Sequence, residues 1–303
     1  MIDYIIMTDS SCDMDANTLF QWSIECIDLK FRKKNAPEIY SNRDMPVSEF
    51  YHAMRNGTVF QTSTINPDEY KKFFRDVLER GSNILYIAFS SGLSATFSAA
   101  DSAAKELASV YPHQRICVFD SLCASAGQGL LLYYAAAKRN AGATMDELIT
   151  YVSEIAPKIC HWFTVDDLKY LKRGGRINAA EAFAATVLDI KPVMHVNDKG
   201  QLEAVSKVRG RRQAIKALVE NYQLLAANPE DGVYFISHGD CRDDAVLLEN
   251  MIEQRYGHKA GYIGDIGSVI GSHSGPGTLA LFFIGRCRIT QKEKKSLIWS
   301  RIS

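Results

Sequence analysis

Short apolar runs alternate with longer helical stretches along the first half of the chain. Four runs rich in β-branched and aromatic residues predict strands, at Tyr4 to Thr8, Ile24 to Phe31, Ile84 to Phe89 and Ile116 to Phe119. Helices are predicted between and after them, because Asn66-Pro67-Asp68-Glu69 combines an N-cap with a proline at the first helical position and Thr144-x-x-Glu147 is a capping box. This alternation predicts βαβ units and a mostly parallel sheet flanked by helices.

The pattern changes after about His161, where apolar runs follow one another more closely. Strands are predicted at Trp162 to Val165, Pro192 to Val196, Leu202 to Val208, Val233 to Ser237 and Lys259 to Ile263. Asp198-Lys199-Gly200 is a hairpin turn between two of these runs, so part of the second sheet is predicted to be antiparallel. We therefore predict a two-domain α/β fold, with an N-terminal domain at 1–157, a mixed α/β domain at 158–290 and a tail at 291–303.

The charges balance, since the 303 residues include 35 lysines and arginines and 35 acidic residues. A chain with no net charge lacks a general attraction to polyanions, which argues against a nonspecific nucleic-acid binder. Its 47% apolar and 23% charged residues are ordinary globular values and exclude disorder as the main state. The longest uncharged run, Leu122 to Ala137, is too short for a membrane span and is predicted to form a buried helix rather than a membrane insertion.

The N-terminus indicates the cellular compartment to expect, and the cysteines indicate whether disulfides or a metal cofactor are expected. Met1 to Tyr4 lack the basic and long apolar regions of a secretory signal, so a cytoplasmic protein is expected. The seven cysteines are scattered and form no Cys-x-x-Cys pair, which indicates neither a disulfide framework nor a zinc site. We expect no metal and no cofactor.

Five polar loops follow strands or precede helices, where ligands gather at the carboxyl ends of an open α/β sheet. They are Asp9-Ser10-Ser11-Cys12-Asp13, Thr62-Ser63-Thr64, Ser90-Ser91-Gly92-Leu93-Ser94, Arg173-Gly174-Gly175-Arg176 and His273-Ser274-Gly275-Pro276-Gly277. Hydroxyls near helix starts provide the donors that a carboxylate needs away from bulk water. Thr62, Ser63 and Ser94 are therefore candidate ligands for a small anionic head group, although each serine can equally be an ordinary helix cap.

Other polar residues in these regions have competing interpretations. The Gly275-Pro276-Gly277 turn brings His273 close to a cleft, but a lone histidine can equally be structural. Arg173, Arg176 and the cluster around Arg209 are able to reach a phosphate or a partner, or to form solvated helix starts. Asp9 and Asp13 are predicted to shape their loop rather than to bind a metal or transfer protons. The remaining histidines, His161 among them, have no motif context and are predicted to be structural or solvent-facing.

Taken together, the loops resemble those of the DegV family, bacterial fatty-acid-binding proteins that work with a fatty acid kinase. The resemblance spans nearly the whole chain to about Gly285, and its specificity lies in the order of the motifs. These are Asp9-Ser10-Ser11-x-Asp13, Thr62-Ser63, Ser90-Ser91-x-Leu93-Ser94, Asp120-Ser121, Leu168-x-x-Leu171-x-Arg173-Gly-Gly-Arg176-Ile177, Lys191-Pro192 and His273-x-Gly275-Pro276-Gly277.

The resemblance implies a long-chain fatty acid in a tunnel between two domains, with its carboxylate held by Thr62 and Ser94, with His273 nearby and Ser63 assisting. It implies that Arg176 and Arg209, with Arg173 beside them, contact the kinase or the acyl phosphate, and that His273 and an arginine neutralise its charge. The chain itself lacks a phosphate-binding Gly-x-x-x-x-Gly-Lys loop, so a carrier subunit without its own catalytic machinery is expected, as a monomer. Phe97, Leu130, Phe183 and Val187 are candidate tunnel walls.

Two departures and two alternatives bear on the interpretation. The Thr-Ser loop is longer than the family pattern before Pro67, and Ala95 stands where the family has glycine, so the choice between Thr62 and Ser63 stays open.

One alternative is a serine hydrolase or acyltransferase with Ser94 as nucleophile and His273 as base, although no Gly-x-Ser-x-Gly elbow is present. The other is a binding protein for a different amphiphile or a small phosphorylated metabolite.

Overall fold

The computed structural model describes residues 3–177 and 189–288 of the chain. The strands in these ranges are β1 (Tyr4–Asp9), β2 (Ile24–Ile27), β3 (Lys30–Lys33), β4 (Ile39–Ser41), β5 (Phe60–Ser63), β6 (Asn83–Ala88), β7 (Ile116–Asp120), β8 (Ile159–Thr164), β9 (Ile190–Val196), β10 (Leu202–Arg209), β11 (Tyr234–His238), β12 (Tyr262–Asp265) and β13 (Leu279–Ile284). The helices are α1 (Ala16–Gln21), α2 (Val47–Arg55), α3 (Pro67–Leu78), α4 (Thr96–Ala108), α5 (Ala126–Asn140), α6 (Met145–Ile155), α7 (Lys169–Arg173), α8 (Arg211–Leu225), α9 (Arg242–Tyr256) and α10 (Ser268–Ser274).

The first sheet confirms the parallel arrangement that the N-terminal pattern predicted. Its strand order is β2-β1-β6-β7, and every neighbouring pair is parallel. Ile84 and Tyr86 pack against α3 and α4 on one face, whereas Leu85 and Ile87 pack against α5 and α6 on the other. Burial on both faces explains why these strands are continuous apolar runs. The uncharged run after Leu122 forms the buried helix α5, as predicted.

A small antiparallel sheet, in the order β4-β3-β5, was not predicted. The run Ile24 to Phe31 was expected to be one strand, but it divides into β2 and β3, which belong to different sheets. The chain changes direction at Leu29, whose N–H donates to Ser10 Oγ at 2.9 Å. Phe31 and Phe60 then pack with Phe50 of α2 in a separate aromatic core. This small sheet places β5, and therefore Thr62, beside α10.

The third sheet has six strands in the order β10-β9-β8-β13-β11-β12. The hairpin between β9 and β10 is antiparallel as predicted, and β11 with β12 is the only parallel pair among its strand pairings in the described residues. Strand β13 was missed because Leu279–Ile284 is wholly apolar, a pattern that fits a buried helix equally well. Helix α6 begins with the predicted Thr144 capping box. The domain division near Pro157 stays a prediction.

The loops at the carboxyl ends of β1, β6 and β7 meet the third sheet. Ser90, which follows β6, donates its hydroxyl to the Gly200 carbonyl at 2.8 Å, in the turn of the β9–β10 hairpin. Ser125, which precedes α5, lies with its Oγ 3.0 Å from Ser237 Oγ in β11. These contacts hold the first and third sheets together around the space where the polar loops converge.

Candidate functional site

A cavity of about 350 Å³ lies where the polar loops converge, within the range of roughly 300–1,000 Å³ that is typical of small-molecule sites. Its lining comes from both halves of the chain, between Leu29 and Ser125 and between His161 and Phe282. Apolar side chains dominate its walls, and they include Phe89, Phe163, Leu171, Val269 and Phe282. A cavity with these walls accommodates an apolar chain better than a polar metabolite.

Thr62 and His273, which we call the head-group pair, form a polar contact in this cavity. Thr62 Oγ1 lies 2.8 Å from His273 Nε2, and both residues line the cavity. The other ring nitrogen, Nδ1, is buried without a hydrogen-bond partner in the described part of the chain. A Cβ on Gly174 would lie 2.3 Å from Nδ1, so the absence of a side chain at Gly174 allows the imidazole to occupy this position. The structure therefore brings together two residues that are 211 positions apart in sequence.

The imidazole of His273 is neutral at pH 7. Burial lowers its pKa to about 4, and the positive charges of Arg176 and Arg173 act in the same direction. In the unliganded protein the arginines therefore carry the positive charge, and a role of His273 in neutralising an acyl phosphate stays a prediction. A bound anion acts in the opposite direction and raises the pKa of His273, because an opposite charge nearby favours the protonated imidazole.

Ser94 lines the same cavity and also shapes its own loop. Its Oγ lies 2.8 Å from Thr96 Oγ1 and accepts a hydrogen bond from the Thr96 N–H at 3.3 Å. The capping interpretation and the ligand interpretation are thus compatible for this residue. Ser63 lines the cavity as well, but it is an exposed residue of β5, whereas Thr62 faces His273.

The three predicted arginines occupy different surroundings. Arg173 is exposed at the cavity, with its guanidinium 5.1 Å from the ring centroid of Tyr170. Arg176 is half-buried and donates to the carbonyls of Leu93, at 3.2 Å, and Gly174. It therefore ties the Ser94 loop to the Arg173 loop. Arg209 is exposed at the end of β10 and is not part of the cavity lining that the described residues form.

The structure bears on one alternative function and on the candidate wall residues. In the described residues, no hydrogen bond joins Ser94 to His273, because Ser94 contacts Thr96 and His273 contacts Thr62. The pairing that a Ser94–His273 hydrolase needs is therefore missing. Phe97 and Leu130 pack in the cores around α4 and α5 instead of lining the cavity. Phe183 and Val187 lie outside the described residues.

Sequence reasoning missed two polar groups beside the cavity. His161 lines it, with Nδ1 3.0 Å from the Ile159 carbonyl and Nε2 accepting from the Ala124 N–H at 3.2 Å. Ser125 lines it too, and its hydroxyl donates to the buried Asp13 at 2.6 Å. The only sequence signal for Ser125 was its position among small residues just before a helix.

Residues 3–177 and 189–288 contain no group of three or more side chains able to hold a metal ion together. No helix within these ranges has the length and apolarity required to cross a bilayer.

Comparison with known proteins identifies the family. The model of the DegV family, described as an uncharacterised protein family, matches residues 4–286. A DegV domain-containing protein of Clostridium perfringens is 39% identical over 286 residues, which cover 94% of this chain and 98% of that relative.

Two solved structures are similar over most of both chains. One is a DegV family protein of Thermus thermophilus described by its fatty acid binding, with 25% identity, a TM-score of 0.82 and coverage of 94% of this chain and 100% of the other. The second is DegV of Bacillus subtilis, a fatty acid binding protein, with 25% identity, a TM-score of 0.81 and the same coverage. The sequence match, the fold and the order of the motifs agree, and the chain belongs to the DegV family.

Proposed function

We propose that this protein binds a long-chain fatty acid in the cavity and presents its carboxylate to a partner fatty acid kinase, which forms the acyl phosphate. The observation that carries the proposal is an apolar cavity in which the Thr62–His273 pair and Ser94 supply polar groups. The fatty acid binding of the Thermus and Bacillus proteins supports the same ligand class.

The tail and the head group have separate roles in this proposal. Each buried methylene contributes roughly 0.8 kcal/mol, so the apolar walls supply most of the affinity. The hydroxyls of Thr62 and Ser94 donate to the carboxylate and fix its position. The guanidiniums of Arg173 and Arg176 lie close enough to His273 to lower its pKa, and their charge attracts the carboxylate. The carrier itself transfers no phosphoryl group in this scheme.

The three arginines have different roles toward the partner kinase in this proposal. Arg173 is exposed at the cavity and contacts the phosphate that the kinase delivers. Arg176 orients the Ser94 loop through its contacts with the Leu93 and Gly174 carbonyls. Arg209, exposed at the end of β10, contacts the kinase away from the cavity. Adding a bacterial fatty acid kinase and ATP, and measuring acyl phosphate with Arg173→Ala and Arg209→Ala, tests this division.

Native mass spectrometry of the protein purified from a bacterial host, followed by solvent extraction, tests the ligand class and reads the oligomeric state. We expect one fatty acid per chain. Thr62→Val and His273→Ala each remove a hydrogen bond to a charged group, which costs about 1.5–3 kcal/mol or roughly 10- to 100-fold in affinity. Thr62→Ser retains the hydroxyl and is expected to bind normally.

Ser91→Ala is the matched control for Ser94→Ala, because Ser91 is exposed in the same loop and does not line the cavity. Ser94→Ala is expected to weaken binding and Ser91→Ala to leave it unchanged. Absence of any fatty acid after purification, together with no binding of added fatty acid, would contradict the proposal.

A further inference from the structure

The turn between β7 and α5 contains a strained serine. Ser125 has φ 54° and ψ −148°, close to a backbone region that is populated almost only by glycine. Leu122, three residues earlier, also has a positive φ of 51°. Such conformations are energetically unfavourable and cluster at active sites, ligand clamps and switches. An outlier of this kind calls for a functional explanation.

Several contacts hold the turn in place. The Ala124 N–H donates to His161 Nε2 at 3.2 Å, and the Ser90 N–H donates to the Cys123 carbonyl at 3.0 Å. The buried guanidinium of Arg288 donates to the Leu122 carbonyl at 2.7 Å. Contacts from both the first and the third sheet therefore hold the turn. A strained conformation persists when the surrounding structure fixes it in this way.

Ser125 shares two features with the serine of a nucleophile elbow, a positive φ directly before a helix and a position at a cavity, but it ends a five-residue connection from β7 instead of a sharp turn. Small residues, Cys123 and Gly127, stand two positions before and two positions after it, where the elbow motif has glycines. A Cβ on Gly127 would lie 2.2 Å from His161 Nε2 and 2.8 Å from Phe282. Helix α5 and the third sheet therefore approach too closely for a side chain at this position.

Asp13 is placed as the base for Ser125. Its Oδ2 accepts the Ser125 hydroxyl at 2.6 Å, and its Oδ1 is oriented by the Gly267 N–H at 3.0 Å. A nucleophile bonded to a base that a third group orients is the arrangement of activated serines. His161 cannot take this role, because its Nε2 already accepts from the Ala124 N–H. Ser125 and Asp13 together are called the wall dyad.

The start of α5 offers a place for the negative charge that develops when a serine attacks a carbonyl. Ala126 is the first residue of this 15-residue helix, so its N–H has no acceptor within the helix. Backbone N–H groups and the positive end of a helix stabilise an oxyanion. The Gly127 N–H, in contrast, already donates to the Ala124 carbonyl at 3.1 Å.

We propose that the wall dyad is an acyl-transfer site that cleaves long-chain acyl thioesters. Ser125 Oγ attacks the thioester carbonyl and passes its proton to Asp13, and the C–S bond breaks as the leaving thiolate takes that proton. Water then attacks the serine ester, gives a proton to Asp13, and Ser125 leaves with that proton as the fatty acid forms. The inference rests on the proposed function in one respect, since the same cavity holds the acyl chain and its product.

Incubating the full-length, delipidated protein with palmitoyl-coenzyme A tests this site. We expect release of free thiol and a palmitoyl ester on Ser125, mapped by peptide mass spectrometry after neutral hydroxylamine has removed cysteine thioesters. Ser125→Ala is expected to lose both signals. Asp13→Asn is expected to slow thiol release at least about 100-fold, the usual contribution of a general base. Ser91→Ala is expected to match the wild type.

Ser125→Gly provides a second variant without the hydroxyl, because glycine adopts the positive φ without strain and keeps the turn folded. Failure of the wild-type protein to release thiol or form a serine ester overturns the inference, as does an ester on Ser94 or adducts confined to cysteine. Fatty acid binding without thiol release leaves the proposed carrier function standing. Thiol release without bound fatty acid contradicts the carrier function alone.

Discussion

The head-group pair and the wall dyad are two polar centres at one cavity, which Thr62 and His273 line in the first and Ser125 alone lines in the second. Burial shifts the titrating group of each centre toward the neutral form. It lowers the pKa of His273 to about 4, and it raises the pKa of Asp13 to about 7. The surrounding charges differ in sign, however. Arg176 and Arg173 lie near His273, whereas the carboxylates of Asp265 and Asp9 lie near Asp13.

This difference in surrounding charge separates an anion site from a proton-accepting site. A carboxylate that enters the head-group pair meets two guanidiniums, whereas the same carboxylate beside Asp13 meets further acids. A fatty acid is thus expected to place its head group at Thr62 and His273 rather than at Ser125. Asp13, in contrast, has a pKa suited to accept a proton near neutral pH.

Replacing Asp13 with asparagine is expected to have the largest effect, on the pH dependence of stability. Between about pH 4 and pH 7 the folded protein keeps the Asp13 proton, which the unfolded chain, with a pKa of 3.8, releases. The free energy of unfolding therefore falls as pH rises through this window, by at most about 1.4 kcal/mol per pH unit. Asp13→Asn removes this contribution, and urea unfolding at several pH values measures it.

The wild-type protein is the control for Asp13→Asn, and the quantity compared is the difference between their curves of unfolding free energy against pH. The buried imidazoles of His161 and His273 have lowered pKa values and act in the opposite direction, losing stability as pH falls. They are present in both proteins, so subtraction cancels them. Parallel curves for the wild type and Asp13→Asn would show that Asp13 is ionised in the folded protein and would remove the contrast between the two centres.

A smaller effect is expected when Gly174 is replaced by alanine. Gly174 has a helical φ of −74°, so alanine suits its backbone, but the new Cβ would lie 2.3 Å from His273 Nδ1. The imidazole must move away from Thr62, and we expect fatty acid affinity to fall roughly 10- to 100-fold, as for loss of one hydrogen bond to a charged group. Titration with a fluorescent fatty acid measures the change.

Lys172→Ala is the matched control for Gly174→Ala, because Lys172 is exposed on the adjoining α7 and does not line the cavity. It is expected to bind fatty acid normally. Equal affinities in Gly174→Ala and the wild type would show that the position of His273 is unimportant for the head group.

The sequence predicted most of the fold because its main signals are local. Caps at Asn66 and Thr144 and the apolar strands identified the two larger sheets. The small antiparallel sheet was not predicted because its strand β5 has only one apolar residue, Phe60. In addition, β3 separates from β2 where the Leu29 N–H donates to Ser10 Oγ, which is a tertiary contact. Local patterns do not encode such contacts.

The candidate site was predictable only where a motif marked it. Thr62, Ser94 and His273 stood in loops with hydroxyls or tight turns, and the structure places all three around one cavity. Ser125 had no such mark, and Asp13 stood in a polar loop but was predicted only to shape it. The strain at Ser125 and the burial of Asp13 exist only in the folded chain. Arg209, exposed at the end of β10, lies outside the cavity lining that the described residues form, and its assignment to kinase contact stays a prediction.

The smallest effect is expected in the pH dependence of fatty acid affinity. Free His273 has a pKa of about 4, and a bound carboxylate raises that pKa, so binding takes up a proton at pH values between the free and the bound pKa. Affinity should rise as pH falls from the bound pKa toward about 4, by at most about tenfold per pH unit for one proton. Calorimetry in buffers of different ionisation enthalpy measures the uptake, which His273→Gln should abolish. Proton uptake that persists in His273→Gln but disappears in Asp13→Asn would place the carboxylate at the wall dyad and reverse the assignment of the two centres.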